Sequence, residues 1–208
     1  MRTLTKEMLA HLSPEQAIQL LKDGNQRFVS NLKLNRNLLQ QVNETSEGQF
    51  PFALVLSCID SRTSAELIFD QGLGDIFSCR IAGNILNEDI LGSMEFACRI
   101  AGSKVIMILG HTKCGAVKGA CHGIKLGNLT ALLDKLQPVM DAELSGKAIS
   151  DTPDPEFMEN IARLNVRYVM EEIPKRSPVI TEMLDNREIA LEGGMYDVDT
   201  GMVTFYDK

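Results

Sequence analysis

The sequence predicts an α/β fold in which a central, mostly parallel β-sheet is flanked by helices and preceded by an N-terminal helical arm. Residues 52–58 and 104–110 are short apolar runs, typical of strands that are covered on both faces. Helical patterns lie between and after them, and strands that alternate with helices favour a parallel sheet. With 208 residues, 44% of them hydrophobic, the chain suits one domain rather than two, with the arm at 1–35 and the core at 50–208.

The arm is predicted from a helix start near its beginning. Ser13 is a favourable capping residue, Pro14 suits the first turn, and Gln16 completes a capping box. Apolar residues then recur on one helical face to about Asn31. A polar stretch follows and ends at Pro51, where the core begins.

The remaining elements of the core are predicted in chain order. Residues 75–81 form a weaker apolar run and predict a third strand. Helical patterns occupy residues 63–70, 86–101, 114–122, 129–143, 155–173 and 178–185. Two further strands, at 188–193 and 202–206, are joined by a turn at 197–201.

Composition and charge narrow the class of protein. A net charge of −7 and a pI near 5.0 disfavour nucleic-acid binding. The sequence shows no signal-peptide pattern, and no apolar run approaches the ~18 residues of a membrane helix. The five cysteines lie in apolar segments and are expected to be reduced thiols or metal ligands. We therefore expect a cytoplasmic protein with no nucleic-acid or membrane partner.

Two of the apolar runs end in residues that bind metals. Cys58 follows the first run, and His111 and Cys114 follow the second. If the two strands are neighbours, these side chains converge at the carboxyl end of the sheet, where α/β proteins bind ligands. Two thiolates and an imidazole suit Zn²⁺, and three protein ligands leave a fourth position open for catalysis.

Asp60 and Arg62 lie just beyond the first predicted ligand. Asp60 is two residues from Cys58, so in an extended segment both side chains point the same way. Its carboxylate either fills the fourth metal position, which would silence the site, or turns away to a bidentate pair with Arg62. In the second case the zinc is free to lower the pKa of a water from about 15.7 to about 7. The resulting hydroxide would attack a small electrophilic carbon.

Together with two further motifs, these residues make the sequence resemble the β-class carbonic anhydrases. The motifs keep their order from residue 58 to residue 201: Cys58-x-Asp60-Ser-Arg62, Arg80-x-Ala-Gly-Asn84, His111-x-x-Cys114-Gly and Tyr196-Asp-Val-Asp-Thr-Gly201. The N-terminal helix also resembles the arm of that family. The resemblance implies the β-carbonic anhydrase fold and one zinc-binding catalytic domain over residues 1–208.

The resemblance also implies the reaction and the assembly. It implies Zn²⁺ on Cys58, His111 and Cys114, with Asp60 and Arg62 as a catalytic, gating pair and Asp60 as a fourth ligand in a closed state. The implied reaction is the reversible hydration of carbon dioxide to bicarbonate and a proton, with zinc-bound hydroxide as the nucleophile. Family members self-associate as dimers or tetramers, with the site at the dimer interface and residues contributed by the partner subunit.

Four residues are expected to bind substrate on the strength of this resemblance. Gln49 fits a glutamine nine residues before the first cysteine, Phe77 fits the apolar wall of the pocket, and Gly115 belongs to the second metal motif. Phe96 stands where a plant-like subgroup often has tyrosine, so a hydroxyl is missing. Ile81 is a second departure from the family pattern, since asparagine is common at this position after the arginine.

Two other functions stay open at this point. One is a related zinc hydrolase that acts on carbon disulfide or carbonyl sulfide, and the other is a non-catalytic, zinc-bearing regulatory oligomer. The intact Asp60 and Arg62 favour an enzyme over the regulatory protein. The other cysteines, at 79, 98 and 121, are interpreted as core thiols. His11 and His122 are interpreted as surface residues. The sequence places no obvious proton-shuttle histidine, and His122 is a candidate for that role.

Overall fold

A computed structural model of the protein describes residues 3–145 and 153–206. The parts of the predicted domain at 1–2, 146–152 and 207–208 lie outside the described residues. Within them, five strands form one sheet in the order β2-β1-β3-β4-β5: β1 (Ala53–Ser57), β2 (Ile76–Arg80), β3 (Val105–His111), β4 (Ala190–Tyr196) and β5 (Val203–Phe205). The first four run parallel, and β5 is antiparallel to β4. The predicted α/β class with a mostly parallel sheet is confirmed.

Helices cover both faces of this sheet. They are α1 (Lys6–His11), α2 (Pro14–Val29), α3 (Leu38–Glu44), α4 (Ala65–Ile68), α5 (Glu88–Glu95), α6 (Gly115–Cys121), α7 (Gly127–Leu133), α8 (Gln137–Leu144), α9 (Pro155–Arg176) and α10 (Pro178–Asp185). A π-helical turn at Phe96–Ile100 continues α5, and short 3-10 turns lie at Ala82–Asn84 and Asp134–Leu136. No helix in the two described ranges is long and apolar enough to span a membrane.

The predicted capping box at the start of α2 is present. The Ser13 side chain accepts a hydrogen bond from the Gln16 backbone N–H at 3.2 Å, and the Gln16 side chain accepts one from the Ser13 backbone at 2.9 Å. Two short helices around it, α1 and α3, were not predicted. Each buries a single residue, Leu9 in α1 and Gln41 in α3, so neither shows an apolar period in the sequence.

The prediction of a single helix at 129–143 was wrong, since two helices, α7 and α8, occupy this stretch. A 3-10 turn at Asp134–Leu136 separates them, and Pro138 lies in the first turn of α8. Proline has no backbone N–H to donate to the preceding turn and its ring clashes there. The apolar period continues through both helices, so it contains no signal for the turn between them.

The core lies on both sides of the sheet. All five residues of β1 are buried, with Leu54 and Leu56 facing one apolar cluster and Ala53 and Val55 facing the other. The first cluster includes the buried face of α9, and the second includes that of α2. A strand covered on both faces needs apolar residues at every position, which explains the continuous run in the sequence.

Candidate metal centre

The predicted metal ligands lie at the carboxyl edge of two neighbouring strands. β1 and β3 are parallel neighbours, with Ser57 in register with Leu109, so both chains leave the sheet side by side. Cys58 comes directly after β1, His111 ends β3, and Cys114 precedes α6. All three side chains are buried, and their ligand atoms lie within 4.8 Å of one another. Among the described residues, this is the one group of such side chains that could hold a metal ion.

The two thiols of this group share their protons unequally. A hydrogen bond from the Cys114 side chain is the main cause that lowers the pKa of Cys58 to about 4, against the opposing effect of burial. The Gly83 backbone N–H, 3.3 Å from Cys58 Sγ, lowers this pKa further. The same thiol–thiol bond, together with burial, raises the pKa of Cys114. The pair therefore favours a thiolate on Cys58 that accepts a hydrogen bond from the Cys114 thiol, and a bound cation would favour loss of the Cys114 proton as well.

His111 carries the observation that best fits a metal. Its Nδ1 lies 2.9 Å from the carbonyl oxygen of Thr112, which can only accept, so Nδ1 carries the proton. Its Nε2 is buried and has no hydrogen-bond partner among the described residues. A buried imidazole nitrogen without a partner is costly in free energy, and a metal ion removes this cost. The donor set of two sulfurs and one nitrogen fits Zn²⁺.

The turn between His111 and Cys114 is tied to the last sequence motif. The backbone N–H of Thr112 donates to the carbonyl of Tyr196 at 3.0 Å, and the Thr112 hydroxyl accepts from the Val198 N–H at 3.0 Å. Lys113, the next residue, has a positive φ of 56°. The motif that begins at Tyr196 therefore supports the metal loop from the neighbouring strand.

Asp60 and Arg62 form the expected bidentate pair. Arg62 Nε donates to Asp60 Oδ1 at 2.9 Å and Nη2 to Oδ2 at 2.8 Å, and the Arg62 backbone N–H adds a bond of 2.9 Å to Oδ1. The Arg62 side-chain bonds are the main cause that holds the pKa of Asp60 well below its usual range. The structure therefore shows the arrangement in which the carboxylate is turned towards the arginine.

Arg80 belongs to one of the sequence motifs, but no role was predicted for it. Arg80 Nε donates to the Cys58 carbonyl at 3.0 Å and Nη2 to the Asp60 carbonyl at 2.5 Å, so it holds the turn that carries both residues. The Thr63 hydroxyl bonds the same two carbonyls, at 3.0 and 2.9 Å. The sequence signal that could have indicated this role is a charged residue at the end of a predicted strand. That strand pairs with β1, and Arg80 is in register with Ser57.

The four expected substrate-binding residues do not lie together within one chain. A mostly apolar cavity of about 280 Å³ adjoins the cluster, and Cys58, Asp60 and Gly115 line it. Phe77 and Phe96 line a different cavity, where their ring centroids are 6.3 Å apart. Gln49 is exposed and lines a third cavity. A single chain therefore places only Gly115 beside the metal ligands.

The remaining cysteines and histidines stand apart from the cluster. Burial raises the pKa of Cys98 to about 12 and also raises that of Cys121, as expected for core thiols. Cys79 is half-buried and faces the cavity that contains Phe77. His11 and His122 are exposed, and His122 Nδ1 bonds the Lys118 carbonyl at 2.8 Å.

Comparison with known proteins identifies the family. A family model for carbonic anhydrase matches residues 53–203. Carbonic anhydrase 2 of Mycobacterium tuberculosis is 33% identical over 204 residues, which cover 96% of each chain. The crystal structure of the β-carbonic anhydrase CafA of Aspergillus fumigatus superposes with a TM-score of 0.71 at 30% identity, over 81% of each chain. Tetrameric β-carbonic anhydrases of Sordaria macrospora give a TM-score of 0.70 at 26% identity, over 78% of this chain and 84% of theirs. The chain is therefore an enzyme of the β-carbonic anhydrase family.

Proposed function

We propose that this enzyme catalyses the reversible hydration of carbon dioxide to bicarbonate and a proton at a zinc ion held by Cys58, His111 and Cys114. The observation that carries this proposal is the buried two-thiol, one-imidazole cluster with an unpartnered His111 Nε2. Zinc bound there supplies a Lewis acid that lowers the pKa of a water molecule from about 15.7 to about 7.

The Asp60–Arg62 pair is assigned the role of keeping the fourth position open. While Arg62 holds both carboxylate oxygens, Asp60 is turned away from that position and remains an anion. An anionic carboxylate can accept a hydrogen bond from the attacking water and so orient its lone pair. If Arg62 released it, Asp60 would be free to reach the metal and close the site.

The apolar cavity beside the cluster supports an uncharged substrate. Ala116, Ile124, Leu129 and Leu133 line it together with Cys58 and Asp60. An uncharged, linear molecule such as carbon dioxide loses little hydration on entering such a space, whereas bicarbonate loses much more. The cavity therefore favours entry of substrate and release of the charged product.

Assembly of two chains would complete the site. Gln49, Phe77 and Phe96 lie away from the cluster of their own chain, so we assign them to the pocket of a partner subunit. Three large apolar side chains support such an interface, since Ile59, Phe96 and Ile100 are 61%, 55% and 71% exposed. We propose a dimer or a tetramer, in a reducing, cytoplasmic compartment that suits the five free cysteines.

A second candidate substrate class fits the same cavity. Carbonyl sulfide and carbon disulfide are also linear, uncharged and small enough for a space of about 280 Å³. A purely regulatory zinc protein is disfavoured. Such a protein only needs the metal ligands, and the bidentate Asp60–Arg62 pair does not hold the metal.

Stopped-flow measurement of carbon dioxide hydration tests the proposal. The purified protein should contain about one zinc per chain and accelerate hydration far above the buffer rate. Carbonyl sulfide and carbon disulfide are assayed in parallel, and the faster substrate identifies the class. Full zinc occupancy with no hydration above buffer would contradict the proposed reaction.

A further inference from the structure

We propose that Glu159 and Asn165, two residues of α9, are positioning residues that hold the metal ligands in place through the backbone of the two turns that carry them. The inference rests on the proposed zinc site, because it concerns how that site is kept in shape. In the described part of the chain, their hydrogen bonds go to backbone groups and not to the ligand side chains. Each bonds a backbone group in a turn with positive φ.

Glu159 acts on the turn between His111 and Cys114. The backbone N–H of Lys113 donates to Glu159 Oε1 at 2.6 Å, a short bond to a carboxylate. Lys113 has a φ of 56°, a left-handed conformation that a residue with a Cβ adopts only when its surroundings impose it. The carboxylate of Glu159 therefore stabilises the conformation that lets His111 and Cys114 point at one ion.

The other contacts of Lys113 do not explain this conformation. Its Nζ pairs with Asp199 at 2.6 Å, but the two side chains are 58% and 64% exposed, so the pair is screened by water. Glu159 Oε2, by contrast, is buried and has no hydrogen-bond partner among the described residues. The bond from the Lys113 N–H reaches Oε1 at an exposed position, so its strength comes from the carboxylate charge and the short distance of 2.6 Å.

Asn165 acts on the turn that faces Cys58. Its side chain is 1% exposed, and its Nδ2 donates to the Gly83 carbonyl at 2.9 Å. Gly83 has a φ of 70°, and its own N–H lies 3.3 Å from Cys58 Sγ. Asn165 thus holds the carbonyl of Gly83, the residue whose own N–H donates to the Cys58 sulfur.

The position of α9 is itself set by close packing on β3. A Cβ built on Gly110 would lie 2.6 Å from Val166 Cγ2 and 3.6 Å from the Ala162 carbonyl oxygen, so the helix meets the strand one residue before His111. Along the helix, Glu159 lies about one turn before this contact, and Asn165 lies within it, between Ala162 and Val166. The long helix, which spans 22 residues, can therefore hold both turns at once.

Metal affinity is the quantity that these bonds should change. Groups that orient metal ligands from outside typically change affinity by about 10–100-fold when they are removed. Glu159→Ala removes the acceptor for the Lys113 N–H, and we expect zinc to bind about 10–100-fold more weakly. Glu159→Gln keeps an uncharged acceptor, and should lose only about half as much on a logarithmic scale.

Two further variants separate positioning from a general loss of structure. Lys113→Gly adopts a positive φ without steric cost, so the double variant Lys113→Gly/Glu159→Ala should recover most of the lost affinity. Glu171→Ala removes an exposed carboxylate from the same helix and is the matched control, with zinc affinity unchanged. Asn165→Ala should weaken zinc binding independently of Glu159→Ala, so their fold-losses should multiply.

The experiment is competition for zinc with a chromophoric chelator, followed by the absorption spectrum of each protein loaded with cobalt(II). The metal-free form of every variant is first melted to show that it folds. Equal zinc affinity in wild type and Glu159→Ala would overturn the inference. The inference would also be overturned if Glu159→Gln lost as much zinc affinity as Glu159→Ala and the double variant Lys113→Gly/Glu159→Ala recovered none of it. A wild type that binds no zinc would instead contradict the proposed function, so the two failures are distinguishable.

Discussion

Arg62 holds both carboxylate oxygens of Asp60, with Nε 2.9 Å from Oδ1 and Nη2 2.8 Å from Oδ2. The spacing of these residues leaves two states open, one in which Asp60 meets the metal and one in which it meets the arginine. The structure shows the second. Asp60 is two residues from Cys58, so the spacing by itself permits either state.

The first prediction concerns this pair. Arg62→Ala should retain zinc but lose about 10²-fold or more in kcat/KM for carbon dioxide, because the released carboxylate can fill the fourth position. Arg62→Lys keeps the positive charge but cannot form the bidentate pair, so it should keep only part of the wild-type activity. Stopped-flow rates with zinc content measured on the same samples provide the check. Full activity of Arg62→Ala would contradict the gating role.

A second prediction concerns the ligands. Cys114→Ala should lose both zinc and activity, because a site with one thiolate and one imidazole binds zinc much more weakly. Cys121→Ala is the control, since this buried core thiol lies outside the cluster and the variant should keep both zinc and activity. Zinc content by atomic emission, compared with hydration rate, decides the matter. Zinc retained by Cys114→Ala would exclude Cys114 as a ligand.

A third prediction concerns the apolar cavity. A Cβ on Gly119 would lie 3.4 Å from Leu133 and 3.6 Å from Ile124, so alanine fits while a larger side chain fills the space. Gly119→Ala should fold at least as well as wild type, since alanine favours the helix by up to about 1 kcal/mol. Gly119→Leu should keep zinc and lower kcat/KM. Unchanged kcat/KM in Gly119→Leu would mean that substrate does not use this cavity.

A fourth prediction concerns assembly. Phe96 is 55% exposed, and Phe96→Glu should convert the oligomer to smaller species, because burial of an unpaired carboxylate is costly. Activity should fall with it while each chain keeps its zinc. Met202→Glu changes an equally exposed apolar residue, at 51%, and serves as the control. Light scattering gives the masses. Active monomers of Phe96→Glu would contradict a site completed by a partner.

A fifth prediction concerns the arm and its stability against acid. The buried Asp70 accepts bonds from Arg27 at 2.6 Å and from Arg36 at 2.5 Å, and the Arg36 side chain is only 7% exposed. Burial acts to raise the pKa of Asp70, but the bonds from Arg27 and Arg36 outweigh it and hold this pKa below its usual value. Asp70→Asn should destabilise the fold by about 3 kcal/mol at neutral pH, because it removes the carboxylate that pairs directly with the buried Arg36 guanidinium.

The pH dependence of this variant follows from the sign of the shift. A lowered pKa in the folded state means that Asp70 stabilises the protein above its ordinary pKa of 3.8, and that this stability is lost as pH falls below that value. The difference between wild type and Asp70→Asn should therefore shrink below about pH 4. Urea unfolding at several pH values measures it. A difference that stays constant with pH would show that the carboxylate charge is not responsible.

Much of the fold follows from local chemistry that the sequence displays. β1 and β3 were predicted because strands buried on both faces need apolar side chains at every position. The start of α2 was predicted because Ser13 and Gln16 bond each other's backbone across one turn. The short helices α1 and α3 escaped prediction, since each buries one residue and neither shows a period.

The sequence by itself determined which residues we propose for the chemistry, because cysteine, histidine and an aspartate–arginine pair are recognisable where they follow apolar strands. Only the tertiary structure decided how they meet. It brings Cys58 to His111 by pairing β1 with β3, and it places Gln49, Phe77 and Phe96 away from the cluster of their own chain. It also joins Glu159 to Lys113, 46 residues away. Such contacts depend on how helices pack on a sheet, and no local pattern encodes that packing.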